Sequence, residues 1–307
     1  MRKINWVGVY PAVLTFFDSD ENLDIEGYLG NLRFQVKSGV QGVIIGGSLG
    51  ESSTLTHDER IQLLDATVTE IGHESDVIFN IAEGSTRTAI ALAKRAEKHG
   101  AHGLMVLPPM MYKPTDQEVV DYFAAIAEST NLPILLYNNP VDYKIEIKID
   151  MLDQLQKYPT IQAIKESTRD ISNVTRMRNS FGDRYKILCG VDTLSAEELL
   201  IGADGLVAGL VDAFPQETVA IYRLIKAGRV DEAIKIYRWF LPLLELDIHP
   251  QLVQNIKLAG VHAGVCTEYV RLPRKPLVGA ERMRVEKIIT SSLDTRPTLP
   301  EYLHLPV

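Results

Sequence analysis

The chain predicts an α/β fold, a (β/α)8 TIM barrel carrying a three-helix extension at its C-terminal end. Three observations lead there: a repeated glycine turn, eight short apolar runs of strand length, and helical periodicity between them. The turn reads Gly39-Val40-Gln41-Gly42 before Val43-Ile44-Ile45, then Gly100-Ala101-His102-Gly103 before Leu104-Met105-Val106, and finally Gly202-Ala203-Asp204-Gly205 before Leu206-Val207-Ala208. A glycine that accepts φ > 0 ends a helix, and the chain turns at once into a strand. These strands are apolar on both faces, as parallel strands covered by helices must be.

In chain order, the first strand falls within 7–16 and the second at 43–45, followed by runs at 76–81, 104–106, 133–137, 160–165, 185–189 and 206–208. Ile25, Leu29, Leu32 and Val36 give the first helix an apolar face, and Ile61, Leu64, Val68 and Ile71 the second. Thr56-x-x-Glu59 is a capping box opening that second helix. Eight units fill residues 7 to about 227, close to the ~250 residues of a typical barrel. A doubly wound open sheet would carry a phosphate fingerprint such as GxGxxG near its first strand, and none is there.

The alternation then stops. Residues 230–246, 250–263 and 280–292 read as three helices, the first with a stripe of Ile234, Tyr237, Leu241 and Leu244. The division is therefore 1–228 for the barrel and 229–307 for a helical extension and a proline-containing tail, covering the barrel or meeting another subunit.

Composition narrows the function. The 307 residues hold 32 Lys+Arg against 40 Asp+Glu, a net charge of −8, without the clustered cations that nucleic-acid binding needs. The longest apolar runs are strand-sized, far short of the ~20 residues of a membrane span. Residues 1–20 carry Asp18 and Asp20 and do not read as a signal peptide. Cys189 and Cys266 stand far apart with no metal-ligand spacing. These features predict a cytoplasmic protein that acts on a small molecule, with no membrane or nucleic-acid partner.

In a barrel, working residues lie where strands end at the C-terminal face. The run at 160–165 ends in Lys165, which either extends to water or, desolvated, becomes a nucleophilic amine. The run at 133–137 ends in Tyr137, followed by Asn138-Asn139-Pro140; a phenol there either packs as a cap or moves a proton. The second strand enters Gly46-Gly47-Ser48-Leu49-Gly50-Glu51, whose backbone N–H groups can nest an anion. Gly46 to Gly50 also spells GxSxG, but a nucleophile elbow needs a helix directly after the serine, and Ser52-Ser53-Thr54-Leu55 intervene. Glu83, past the third strand, faces the mouth either as a solvated carboxylate or as a substrate contact. His99 and His102 sit at the opposite end, and Trp239-Phe240 reads as packing.

Together, Gly47-Ser48-Leu49-Gly50-Glu51, Tyr137-Asn138-Asn139-Pro140 and Ile164-Lys165-Glu166-Ser167 resemble the dihydrodipicolinate synthase / N-acetylneuraminate lyase family across nearly the whole chain. The resemblance implies that Lys165 forms a Schiff base with a 2-oxo acid and that Tyr137 relays protons. It implies that the Ser48 and Leu49 N–H groups hold the substrate carboxylate, and that Gly190 and Val207 line the pocket. It also implies a homotetramer or homodimer and a reaction with no metal and no organic cofactor.

Three positions depart from the lysine-forming synthases: Leu49 replaces the second threonine of the turn, Met111 replaces a tyrosine, and Asp142 stands in place of a carboxylate-binding arginine. The chain is most similar to the 1-pyrroline-4-hydroxy-2-carboxylate deaminases of the family. Trp6-x-Gly8-Val9, Tyr143-Lys144, Arg238-Trp239-Phe240-x-Pro242-Leu243-Leu244 and Leu252-Val253-Gln254-x-Ile256-Lys257-Leu258 carry that similarity. The C-terminal stretches are expected to lie outside the catalytic mouth. Related readings are a sugar-acid dehydratase, a retro-aldol lyase and a silent 2-oxo-acid-binding protein. A neighbouring subunit's Tyr112 is a candidate to complete the site.

Overall fold

The computed structural model describes residues 3–306. Eight parallel strands alternate with helices: β1 (Gly8–Pro11), α1 (Ile25–Lys37), β2 (Gly42–Ile45), α2 (His57–Ile71), β3 (Asp76–Ile81), α3 (Thr86–Lys98), β4 (Gly103–Val106) and α4 (Asp116–Ser129). There follow β5 (Ile134–Asn138), a one-turn α5 (Pro140–Tyr143), α6 (Ile149–Leu155), β6 (Ile161–Glu166), α7 (Ser172–Phe181), β7 (Lys186–Cys189), α8 (Ser195–Leu200), β8 (Gly205–Ala208) and α9 (Pro215–Lys226). The sheet order is β1-β8-β7-β6-β5-β4-β3-β2. The seam between β1 and β2 is joined by the Ala12–Ile44 bridge and by hydrogen bonds from Val13 N–H to Ile44 O and Gln41 N–H to Val9 O. This is the (β/α)8 barrel that the strand–helix alternation predicts.

The three glycine turns are built alike. Gly39, Gly100 and Gly202 have φ of +96, +83 and +117. The N–H of the next residue (Val40, Ala101 and Ala203) returns to the carbonyl five residues back, on Gln35, Ala96 and Glu198. That is a Schellman ending, which satisfies orphan carbonyls and aims the chain into the next strand.

Two expectations shift. The first strand ends at Pro11 rather than at residue 16, because beyond it the chain crosses the barrel top, where Thr15 Oγ1 donates to Gly50 O. The most buried face of α1 is Tyr28, Asn31, Leu32 and Gln35, with Ile25, Leu29 and Val36 half-buried. Periodicity of apolar residues missed the two amides, which are buried because each donates to a loop carbonyl: Asn31 to Asp212 and Val265, Gln35 to Val211. The Thr56–Glu59 capping box opens α2 as read.

The extension comprises α10 (Val230–Leu244), α11 (Leu252–His262) and α12 (Gly279–Asp294). Trp239 stacks on Phe240, whose ring meets Phe214 edge-on, and Trp239 Nε1 donates to Ser292 O. The tail is tied back where Arg223 donates to the Leu303 and Leu305 carbonyls. Among the described residues no helix is long and apolar enough to cross a membrane.

A buried ion pair fastens the extension to the glycine turn after β2. Lys257 Nζ of α11 lies 2.7 Å from Glu51 Oε1, with side chains only 1% and 0% exposed. Burial lowers the Lys257 pKa against the pull of Glu51. Breaking such a pair leaves an uncompensated buried charge and costs about 3–5 kcal/mol. Lys257→Met should therefore destabilise the protein by about that amount in urea unfolding, and adding Glu51→Gln should recover part of the loss. Strictly additive effects would show that the pair is not an anchor.

Candidate active site

The site grows from the register of two neighbouring strands. Tyr137 of β5 pairs with Lys165 of β6, and Asn138 with Glu166. Alternation along a strand sends successive side chains to opposite faces. Lys165 and Tyr137 both line the cavity at the C-terminal mouth. Glu166 is buried on the other side, accepting from Thr168 N–H, Asn173 and Asn138.

The Lys165 amine lies 4.0 Å above the centre of the Tyr137 ring. The two side chains are 7% and 8% exposed, and the amine makes no hydrogen bond or ion pair to another described residue. Contact with the ring face favours an ammonium, but desolvation outweighs it and lowers the Lys165 pKa. Burial likewise pushes the Tyr137 phenol up to about 12, against the hydrogen bond it accepts from Asn139 Nδ2 at 3.1 Å. The result is a phenol that stays protonated beside an amine biased toward its free base.

Gly190, one residue past β7, makes room for this lysine. A Cβ there would lie 2.6 Å from Lys165 Cε, 2.7 Å from its Cγ and 2.2 Å from Ser167 Oγ.

All six residues singled out from the sequence, Ser48, Leu49, Tyr137, Lys165, Gly190 and Val207, line one cavity of about 260 Å³. Neither the Ser48 nor the Leu49 N–H is donated to another described residue. No nucleophile elbow exists, since a 3-10 turn over Ser52–Thr54 separates Ser48 from α2.

Glu83, Met111 and Tyr112 do not line the cavity. Glu83 is held by the buried Arg60 at 2.8 Å and by His57 at 3.1 Å. Met111 and Tyr112 are 80% and 53% exposed. His102 Nδ1 accepts from Val77 N–H and His99 meets Asp65, both remote from the mouth.

Several lining residues escaped the sequence reading. Tyr143, at the end of α5, shares a 2.6 Å hydrogen bond with Ser48 Oγ and meets Tyr137 edge-to-face at 5.6 Å. Its spacing from Tyr137 was visible, but not the short helix, capped by Asn139, that turns it back. Asp192, two residues beyond Gly190, was open to the strand-end rule. Its carboxylate accepts from Gly209 and Leu210 N–H at 2.9–3.2 Å. Arg169 lines the mouth in the left-handed region at φ 63, an uncommon conformation for an arginine, and makes no hydrogen bond to another described residue.

Of the C-terminal stretches expected to lie outside the mouth, only Leu252 reaches the cavity, but the segment between them reaches it too. Asp247, Ile248 and Leu252, at the junction of α10 and α11, form part of the cavity wall. Position along the chain gave no signal, because this wall comes from the extension and not from a barrel strand.

Residues 5–292 match the dihydrodipicolinate synthetase family. The chain belongs to that family. A 4-hydroxy-tetrahydrodipicolinate synthase of Leptospira biflexa is 32% identical over 270 residues, covering 88% of this chain and 92% of that protein. The 4-hydroxy-tetrahydrodipicolinate synthase structure from Methylacidiphilum fumariolicum SolV superposes with a TM-score of 0.89 at 29% identity, covering 95% and 97% of the two chains. A dihydrodipicolinate synthase of Bacillus anthracis gives 0.90 at 27% identity, covering 94% and 99%. Dihydrodipicolinate synthetase family members are Schiff-base class I lyases, and this chain is an enzyme of that class. These relatives are named as synthases, the activity from which Leu49, Met111 and Asp142 were expected to depart.

Gly190→Ala should displace Lys165 and cut borohydride trapping of a pyruvate adduct at least tenfold, read by intact mass. Overpacking of this kind also costs about 1–3 kcal/mol. In the native enzyme, trapping should rise with pH through a midpoint below the ordinary lysine value of about 10.4, because only the free amine adds to a carbonyl. A midpoint at or above that value would contradict the desolvated amine.

Proposed function

We propose that this enzyme converts 1-pyrroline-4-hydroxy-2-carboxylate to 2,5-dioxopentanoate and ammonia. The observation that carries the reading is the cavity wall facing the lysine and tyrosine: Asp142, Asp192 and Asp247 all line it. Carboxyl groups suit the hydroxyl and amine of this substrate, and Asp142 in place of a carboxylate-binding arginine disfavours a second carboxylate.

Lys165 adds to C2 of the cyclic imine, and the ring nitrogen leaves as an amine, giving an open-chain Schiff base. The free Ser48 and Leu49 N–H groups bind the carboxylate, with Gly190 and Val207 bordering the carbon chain. Tyr137 gives its proton to the departing ring nitrogen, and the phenolate, stabilised by the positive iminium beside its ring, takes the C3 proton. The enamine expels the C4 hydroxyl, and tautomerisation places an imine at C5. Hydrolysis there releases ammonia, and hydrolysis at Lys165 frees the product. One water leaves and two enter, so the reaction balances as a net hydrolysis. The imine supplies the electron sink, so neither metal nor organic cofactor is invoked. We also propose a cytoplasmic homodimer or homotetramer, as the family resemblance implies.

A second reading, 4-hydroxy-tetrahydrodipicolinate synthesis, is favoured by Arg169. It is a cation at the mouth available to a distal carboxylate, and the synthase names of the relatives point the same way.

Purified enzyme given 1-pyrroline-4-hydroxy-2-carboxylate should release ammonia, and Lys165→Ala should abolish it. Tyr137→Phe should slow release by ~10²–10⁴, the range of acid–base catalysis. Formation of 4-hydroxy-tetrahydrodipicolinate without ammonia release would move the assignment to the synthase.

A further inference from the structure

Three carboxyl groups line the cavity, and their surroundings differ. Asp142 is exposed at the mouth and accepts from Asn139 Nδ2 at 2.8 Å. Asp192 is buried and taken up by the Gly209 and Leu210 N–H groups. Asp247 is half-buried, and its carboxyl makes no hydrogen bond to another described residue. The side chain lies over Gly209, where a Cβ would come within 2.2 Å of Oδ1, so the glycine is what admits it. Its segment is pinned by the Asp247 N–H bond to Leu244 O and by Asn255 Nδ2 donating to Leu246 O at 3.1 Å. A pocket-facing carboxyl without protein partners is placed to meet substrate.

We propose that Asp247, carried by the helical extension, is the catalytic acid that protonates the oxygen leaving C4 of the Lys165-bound substrate. The proposal rests on the dehydrating deaminase reading above. The enamine pair forms the C3–C4 double bond as the C4–O bond breaks, and the oxygen takes the Asp247 proton and departs as water. The carboxylate left behind takes a proton from C5 during tautomerisation, which restores the acid. Burial raises the pKa of Asp247, reinforced by the neighbouring Asp192 and Asp142 and opposed by Lys165 and Arg169. Burial also raises Asp192, but there the Gly209 and Leu210 N–H groups favour the carboxylate, whereas no donor meets Asp247.

The test compares wild type with Asp247→Asn on the hydroxy substrate and on its 4-fluoro analogue, whose leaving group departs without full protonation. Exchange of the C3 hydrogens in deuterated water is followed in parallel. Asp247→Asn should lose ~10²–10⁴ in ammonia release from the hydroxy substrate. It should lose less than tenfold in fluoride release from the fluoro analogue and retain C3 exchange. Ammonia release within tenfold of wild type would overturn the role of Asp247 alone, as would loss of C3 exchange, which indicates a binding or structural part. Wild-type enzyme that exchanges C3 hydrogens of pyruvate but releases no ammonia would overturn the deaminase reading and this proposal with it.

Discussion

The chemistry of this barrel depends on one register, β5 against β6, which sets Tyr137 opposite Lys165. A slip of β6 by one residue would turn Lys165 out of the mouth and bring Glu166 in, because side-chain direction alternates. The register is reinforced from the outer side. Asn138 bonds to both directions of the Ile147 backbone, and Glu166 is locked by Thr168 and Asn173. These outward groups hold the strands so that the inward amine stays desolvated beside the phenol.

The extension belongs to the site as much as the barrel does. Its Lys257 reaches across to Glu51 at the end of the glycine turn, while the segment leading into α11 brings Asp247, Ile248 and Leu252 to the cavity. The turn that presents the Ser48 and Leu49 N–H groups is thus anchored by the same helix whose approach builds the opposite wall. Arg271 strengthens this join by donating to the carbonyls of Thr54 and Glu21.

The cavity joins the Lys165–Tyr137 pair with a wall that carries three carboxyl groups. Lys165 and Tyr137 suit any reaction through an imine and its enamine. Selection among such reactions falls to the groups farther from the amine, here Asp142, Asp192 and Asp247 with Arg169 at the mouth. Overall fold and family therefore constrain the reaction type more tightly than the substrate, since function resides in the site grafted on a fold.

The sequence by itself determined the barrel, its strand order and the amine–phenol pair, because these are written locally. Helix-ending glycines, short apolar runs and the last residue of a strand need no distant partner to be recognised. Ser48, Leu49, Gly190 and Val207 were named as well, the last two through the family resemblance, but together they make up only a minority of the cavity lining. What the tertiary structure alone decided were contacts between segments far apart in the chain. Glu83 faced the mouth in sequence but was taken by Arg60, and the polar face of α1 was buried by carbonyls 176 and 181 residues away. Tyr143 was turned onto Ser48 by a capped single turn, and Asp247 was delivered from the extension over Gly209. Periodicity and strand-end rules describe one element and its neighbours; which distant loop closes a cavity follows only from how the packed elements meet.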